Sequence, residues 1–194
     1  MWYNISGEFE NLLTEPKFRQ KNKTKEEKMK KKNLTLYTTR GALIAAIYVA
    51  LTAIASAVGL SSGAIQFRIS EALCILPIFM SEAVPGLFIG CLVSNILSGC
   101  VVWDVIFGSL ATLIGAIGAR LLIKLPEKFK WVCTLPTILA NAIIVPFVLI
   151  YAYGVPDAYW LLMISVAVGE IVCAGIGGTG LYYLIKKRGA GLIQ

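Results

Sequence analysis

The 194-residue chain contains no histidine and only 15% charged residues, and its five cysteines include no C-x-x-C pair. Without histidine, the usual protein ligand for zinc and haem iron is missing, and so is the most frequent general acid–base group. Cys74, Cys91, Cys100, Cys133 and Cys173 are odd in number and scattered through apolar sequence. That pattern speaks against a metal centre or a disulfide framework and for small packing residues. No Walker motif is present, so any ATP hydrolysis tied to this chain has to occur on another one. No cofactor is expected. A soluble domain carries roughly a quarter charged residues, whereas here 57% of residues are hydrophobic, which places the chain in a lipid bilayer.

The charge that remains is unevenly placed. Ten lysines and arginines lie between Lys17 and Arg40, offset only by Glu26 and Glu27, and the net charge is +7. Phe18 and Tyr37 are the only aromatic residues within this run, too few for a base-stacking surface, so nucleic acid is not the expected partner. Beside an apolar segment, such a run marks the cytoplasmic side of a membrane.

Charge-free windows predict an all-α membrane protein of six transmembrane helices, over residues 41–67, 72–81 with its flanks, 83–103, 105–123, 131–153 and 158–185. A span needs about 20 apolar residues, so the second window is too short alone and has to use its flanks or be shielded by neighbours. Six spans put both termini on one side, together with the basic segments 17–40, 124–130 and 186–188. By the positive-inside rule that side is the cytoplasm. The expected organisation is a basic, disordered cytoplasmic extension over 1–40, a transmembrane substrate-binding domain over 41–185 and a short basic tail over 186–194. Residues 1–28 in particular are expected to carry little functional weight, since Met29 opens a more ordinary start.

Ionisable groups cost roughly 2.5 to 3.5 kcal/mol each at the centre of a membrane helix, yet Arg68, Glu71, Glu82, Asp104 and Glu170 stand within or beside the apolar segments. On this threading Asn95, Asn141 and Glu170 fall near mid-depth, while Arg68, Glu71 and Asp104 lie at the outer rim. The expectation is a pocket open to the outside, with an Asn/Asn/Glu floor and a charged mouth. Simpler roles compete: Asp104 as a helix cap, Glu71 as a helix-dipole partner, Arg68 as a pair for Glu71, and the asparagines as interhelical hydrogen-bond glue. Glu82 falls on the cytoplasmic side and is expected to be solvated. Trp103, Tyr151, Tyr153, Tyr159 and Trp160 cluster at the outer ends as an interfacial belt from which one or two could stack on a ligand. Helix 1 has no ionisable group and is expected not to line a polar site; its Ala42, Ala46 and Ala50 form a flat face suited to close helix packing. The G-x-G-x-x-G string at 175–180 sits in an apolar helix with neither a preceding strand nor a following acid, and reads as a packing surface rather than a dinucleotide loop.

RISEALCILP (68–77), PGLFIGCLVSN (85–95), WDVIFGSLATL (103–113), LPTILANAIIV (135–145) and VGE (168–170) resemble the queuosine-precursor transporter family, the QueT-like substrate-binding subunits of energy-coupling factor transporters. The similarity runs from about Leu36 to Ile185. It implies a multi-pass protein of a bacterial cell membrane that captures queuine or its aminomethyl-deazaguanine precursor from outside. It also implies a transmembrane coupling protein and two ATP-hydrolysing subunits as partners, with the A-x-x-x-A pattern of Ala42, Ala46 and Ala50 contacting the coupling protein. A deazaguanine fits the polar residues: Glu170 or Asp104 would accept from its guanine-like edge, Asn95 and Asn141 would complete the pairing, Glu71 would favour the cationic aminomethyl group, and Trp103 or a nearby tyrosine would stack on the ring. Two other readings stay open: the same kind of subunit serving another vitamin or nucleobase, and a stand-alone proton-coupled carrier with Glu170 as relay. An intramembrane enzyme is disfavoured, because no histidine, Ser–Lys or Asp–Asp arrangement is evident.

Overall fold

The structure, a computed structural model, describes residues 16–59 and 67–189. The chain divides into two compact units, Met1–Thr39 and Arg40–Gln194. Among the described residues, six helices follow one another. They are α1 (Pro16–Ala57), α2 (Ile69–Ile78), α3 (Ala83–Leu97), α4 (Val102–Leu121), α5 (Leu135–Tyr151) and α6 (Tyr159–Gly189), and short 3₁₀ turns at Leu122–Lys124 and Glu127–Thr134 join α4 to α5. Among the described residues, four segments are long and apolar enough to cross a membrane: Asn33–Ala57, Val102–Lys124, Glu127–Tyr151 and Tyr159–Gly189. The apolar helices α2 and α3 are shorter.

The short second window finds a physical solution in α2, which winds as a 3₁₀ helix and buries seven of its ten residues. At about 2.0 Å rise per residue, ten residues reach about 20 Å instead of the 15 Å of an α-helix. Its burial against α4 and α6 supplies the shielding that its length demands. Within α6, residues Ile171–Gly177 form a π-helical turn directly after Glu170. Two glycines of the 175–180 string pack closely, since methyls at Gly177 and Gly178 would lie 3.3 Å from Ala72 Cβ and 3.3 Å from Ala72 O, whereas Gly180 faces open space.

Small residues bring the other helices together. A methyl at Gly115 would come 2.4 Å from Thr137 Oγ1, and one at Gly118 2.4 Å from Pro136 Cβ, so α4 and α5 touch almost backbone to backbone. Gly86 and Gly90 of α3 do the same for α1, against Gly41, Ala45 and Tyr48. One buried cluster joins Ile44, Tyr48, Leu73, Cys74, Ala83, Leu87, Cys91 and Ala116, and a second joins Ile75, Ile78, Ala119, Cys133 and Tyr182.

Three expectations change. Residues 16–40, expected to be disordered, fall within the helix Pro16–Ala57; eight of these 25 residues are lysine, a good helix former. Residues 1–15 of the expected extension lie outside the described residues. Glu82 is not solvated: it is 7% exposed and forms an ion pair with Arg40 at 3.2 Å. Helix α1 does enter the polar interior, as described next.

Candidate functional site

A cavity of about 510 Å³ opens at the end of the bundle opposite the Arg40–Glu82 pair. Tyr48, Thr52, Ala55 and Ser56 of α1 form one wall, and Phe67, Arg68 and Ser70 line the approach to α2. Ser94, Asn95, Ser98 and Cys100 come from the end of α3, Asp104 from the start of α4, and Val145, Leu149, Tyr153 and Val155 from the end of α5 and its loop. The α3 edge is set by Gly99, whose φ of +70° closes a Schellman turn: Cys100 N–H donates to Asn95 O at 3.0 Å and Gly99 N–H to Ile96 O at 3.1 Å. That turn brings Cys100 to the cavity wall.

Of the residues expected to bind a ligand, three converge here. Arg68 Nη2 stands 3.8 Å from Asp104 Oδ1. Asn95 Nδ2 donates to the Asp104 carbonyl at 3.4 Å. All three crowd around Gly108, where a methyl would sit 3.1 Å from Asn95 Nδ2, 3.2 Å from Asp104 Oδ1 and 3.7 Å from Arg68 Nη1. Asp104 is not a helix cap, since Val101 holds the cap position, and Arg68 pairs with Asp104 rather than with Glu71. Tyr153 donates its hydroxyl to Asp104 Oδ2 at 3.1 Å and accepts from Val101 N–H at 3.2 Å. The aspartate is thereby turned so that Oδ1 faces Arg68. Arg68 Nη1 and Asp104 Oδ1 are buried without a hydrogen-bond partner, so an adjacent donor and acceptor keep unused capacity.

The others lie elsewhere. Glu71 is not at the rim. It is fully buried, and its Oε1 accepts from the hydroxyls of Tyr48 and of Thr112 (3.0 Å), while its Oε2 accepts from Cys74 Sγ at 2.9 Å. Asn141 and Glu170 are also buried and do not line the cavity; Asn141 Oδ1 and Glu170 Oε2 have no hydrogen-bond partner. Glu170 lies within electrostatic reach of Glu71 and Arg68. Trp103 is 58% exposed, stacks on Phe107 and lines a separate apolar groove with Phe147 and Tyr151. Its ring does not face the polar cavity, where Tyr48, Phe67 and Tyr153 supply the aromatic surface. Ala42, Ala46 and Ala50 are exposed along one face of α1, opposite the buried Gly41, Ile44, Tyr48 and Ala55.

Helix α1 is the part that sequence reasoning missed. The signal was available: Ile44, Tyr48 and Ala55 recur at helical spacing opposite the alanines, and a tyrosine on a buried face brings a hydroxyl that needs a partner.

The match to a family model described as QueT transporter covers residues 38–187. The chain belongs to the QueT transporter family. It is 38% identical over 102 residues to the queuosine precursor transporter QueT of Lactococcus lactis subsp. cremoris strain MG1363. That alignment covers 52% of this chain and 60% of the relative, so the chain spans less than two thirds of the length of that QueT protein. No solved structure matches it. Membership in a transporter family agrees with the several apolar helices, and the QueT cavity is a place where a polar solute could be held inside an apolar bundle.

Proposed function

We propose that this QueT-family protein is the membrane-embedded substrate-binding subunit of an energy-coupling factor transporter, and that it captures a queuosine precursor from outside the cell. The observation that carries this reading is the pairing of Arg68 and Asp104 at the wall of a 510 Å³ cavity, each with a buried hydrogen-bonding atom left unpartnered. A deazaguanine presents N–H donors beside a carbonyl acceptor. Asp104 accepts from the former, Arg68 donates to the latter, Asn95 completes the pairing, and Phe67 or Tyr153 stacks on the ring. Glu71, Asn141 and Glu170 form a deeper polar layer that a ligand reaches only if the cavity extends inward, while Trp103 takes no part in stacking.

In this reading all six helices traverse the bilayer and both termini are cytoplasmic. Arg40, Arg120, Lys124, Lys130 and Lys186 gather towards the end of the bundle away from the cavity, which the positive-inside rule assigns to the cytoplasm. The exposed alanines Ala42, Ala46 and Ala50 meet the coupling protein, and ATP is hydrolysed by partner subunits. Isothermal titration of the purified protein with queuine, aminomethyl-deazaguanine and common vitamins tests the cargo. The expected outcome is saturable binding of a deazaguanine that Asp104→Asn weakens by roughly 10- to 100-fold, the worth of one charged hydrogen bond. Tight binding of an unrelated vitamin alone would replace the cargo.

One observation favours a second reading. Glu170 is a buried carboxyl group with an unpartnered oxygen, as a proton relay in a stand-alone carrier would be. Uptake by liposomes that contain this chain alone, driven by a proton gradient and lost in Glu170→Gln, would decide for it.

A further inference from the structure

Helix α1 meets the rest of its unit through a smooth surface. Its buried face carries Gly41, Ile44, Tyr48 and Ala55, and the facing α3 presents Gly86 and Gly90, where added methyls would lie 2.6 Å from Gly41 O and 2.8 Å from Tyr48 Cβ. The glycines allow close approach, and Ile44 and Tyr48 of α1 pack into one buried cluster with Leu73, Leu87 and Cys91. Apolar packing is non-directional, and three directional polar ties add to it: Arg40 with Glu82 at one end, Thr52 Oγ1 with Ser70 Oγ at 2.9 Å at the other, and Tyr48 with Glu71 between them. The central tie differs from the other two. Tyr48 and Glu71 are both fully buried, and Tyr48 also lines the cavity. One side chain is at once a wall of the site and the bolt that holds α1 in place.

We propose that the Tyr48–Glu71 hydrogen bond is a latch that couples the two faces of α1, so that a displacement of α1 through its exposed alanine face opens the inner wall of the cavity and releases the cargo. The source of that displacement, a coupling protein on Ala42, Ala46 and Ala50, rests on the transport reading above; the latch does not. Glu71 holds Tyr48 of α1 and Thr112 of α4 on the same oxygen, which makes it the meeting point of three helices. Tyr48 acts here as a positioning residue, with its ring placed by the carboxylate behind it.

The protein carries its own reporters. Cys74 donates to Glu71, and Cys91 accepts from Thr112 at 3.3 Å; both thiols are buried behind Tyr48. Cys133 is equally buried but belongs to the other hydrophobic cluster. The test is maleimide labelling of the full chain in nanodiscs, read cysteine by cysteine by peptide mass spectrometry, for the wild type, Tyr48→Phe and Glu71→Gln. With the latch broken, Cys74 and Cys91 should react roughly tenfold faster or more, a ratio in keeping with the loss of one buried hydrogen bond, while the Cys133 rate stays unchanged. Unchanged rates at Cys74 and Cys91 in both variants would overturn the latch, and so would an equal acceleration at Cys133, which signals general loosening. If Glu71→Gln fails to fold, Tyr48→Phe alone decides. Queuine added to the wild type should slow the labelling of Cys74 and Cys91. If it does not bind, the cargo reading fails, while the ligand-free labelling pattern still judges the latch.

Discussion

Two polar layers lie one below the other in the same apolar bundle, and Glu71 in one is built to the opposite rule from Arg68 and Asp104 in the other. In the deeper layer Glu71 accepts from Tyr48, Thr112 and Cys74, so that both of its oxygens are used, whereas Asn141 Oδ1 and Glu170 Oε2 are left without a hydrogen-bond partner. In the cavity layer Arg68 and Asp104 stand 3.8 Å apart, and each keeps a buried atom without a hydrogen-bond partner. Satisfied polar groups fasten helices, because losing one partner strands the others in a low-dielectric interior. Unsatisfied groups hold their capacity for a ligand. Saturation therefore separates Glu71, which serves architecture, from Arg68 and Asp104, which serve recognition.

The sharpest way to break this contrast is Glu71→Ala. It strands the Tyr48 hydroxyl, removes one of the acceptors of Thr112 and leaves a void, which together should cost about 3 kcal/mol. Tryptophan-fluorescence melting should show a large drop in the unfolding temperature. Glu71→Gln keeps an acceptor and should melt much closer to the wild type. If the alanine variant melts like the wild type, the deeper layer is not the fastening that its hydrogen bonds imply.

Arg68→Ala should do the reverse. It removes a donor with spare capacity, so deazaguanine affinity should fall by roughly 10- to 100-fold, while the melting temperature moves little. A large loss of stability without loss of binding would assign Arg68 to architecture instead.

Gly108→Ala tests the geometry of the cavity layer without changing any polar group. The added methyl crowds Asn95 Nδ2 and Asp104 Oδ1 at 3.1 and 3.2 Å, and both side chains have to give by a few tenths of an ångström. Affinity measured by titration should fall by about tenfold, one charged hydrogen bond's worth of misalignment, with the fold intact.

These layers were only partly legible in the sequence. The number of helices and the gathering of basic residues at one end follow from charge-free windows and from lysine and arginine placement, which are local properties. Arg68, Asn95 and Asp104 stand out because polar groups are costly in apolar segments. What could not be read is which of them meet. Glu82 finds Arg40, 42 positions away, and Glu71 finds Tyr48 and Thr112, 23 and 41 positions away. Such pairings depend on helix rotation and depth, and the 3₁₀ winding of α2 resets both relative to an α-helix of the same length. That winding also helps to explain why Glu71 sits inside rather than at the rim. Tyr153 was obscured for another reason: an aromatic residue near a membrane interface reads as part of a belt, and only its hydroxyl partner distinguishes it, while Tyr48 was passed over because helix 1 carries no ionisable group.

Trp103→Ala should have the smallest effect and defines the boundary of the site. The indole lies one residue before Asp104, which makes it the obvious stacking group in a linear reading. Adjacent residues on a helix point about 100° apart, and that rotation carries Trp103 out to Phe107 and the apolar groove while Asp104 turns inward. Titration should therefore give a deazaguanine affinity within about twofold of the wild type, because exposed substitutions away from a site change free energies by only about 0.5 kcal/mol. Tyr153→Ala, by contrast, removes both an aromatic wall and the hydroxyl that orients Asp104. If Trp103→Ala weakens binding as much as Tyr153→Ala does, the ligand sits on the outer groove rather than in the polar cavity, and the division between recognition and architecture has to be redrawn around α4 and α5.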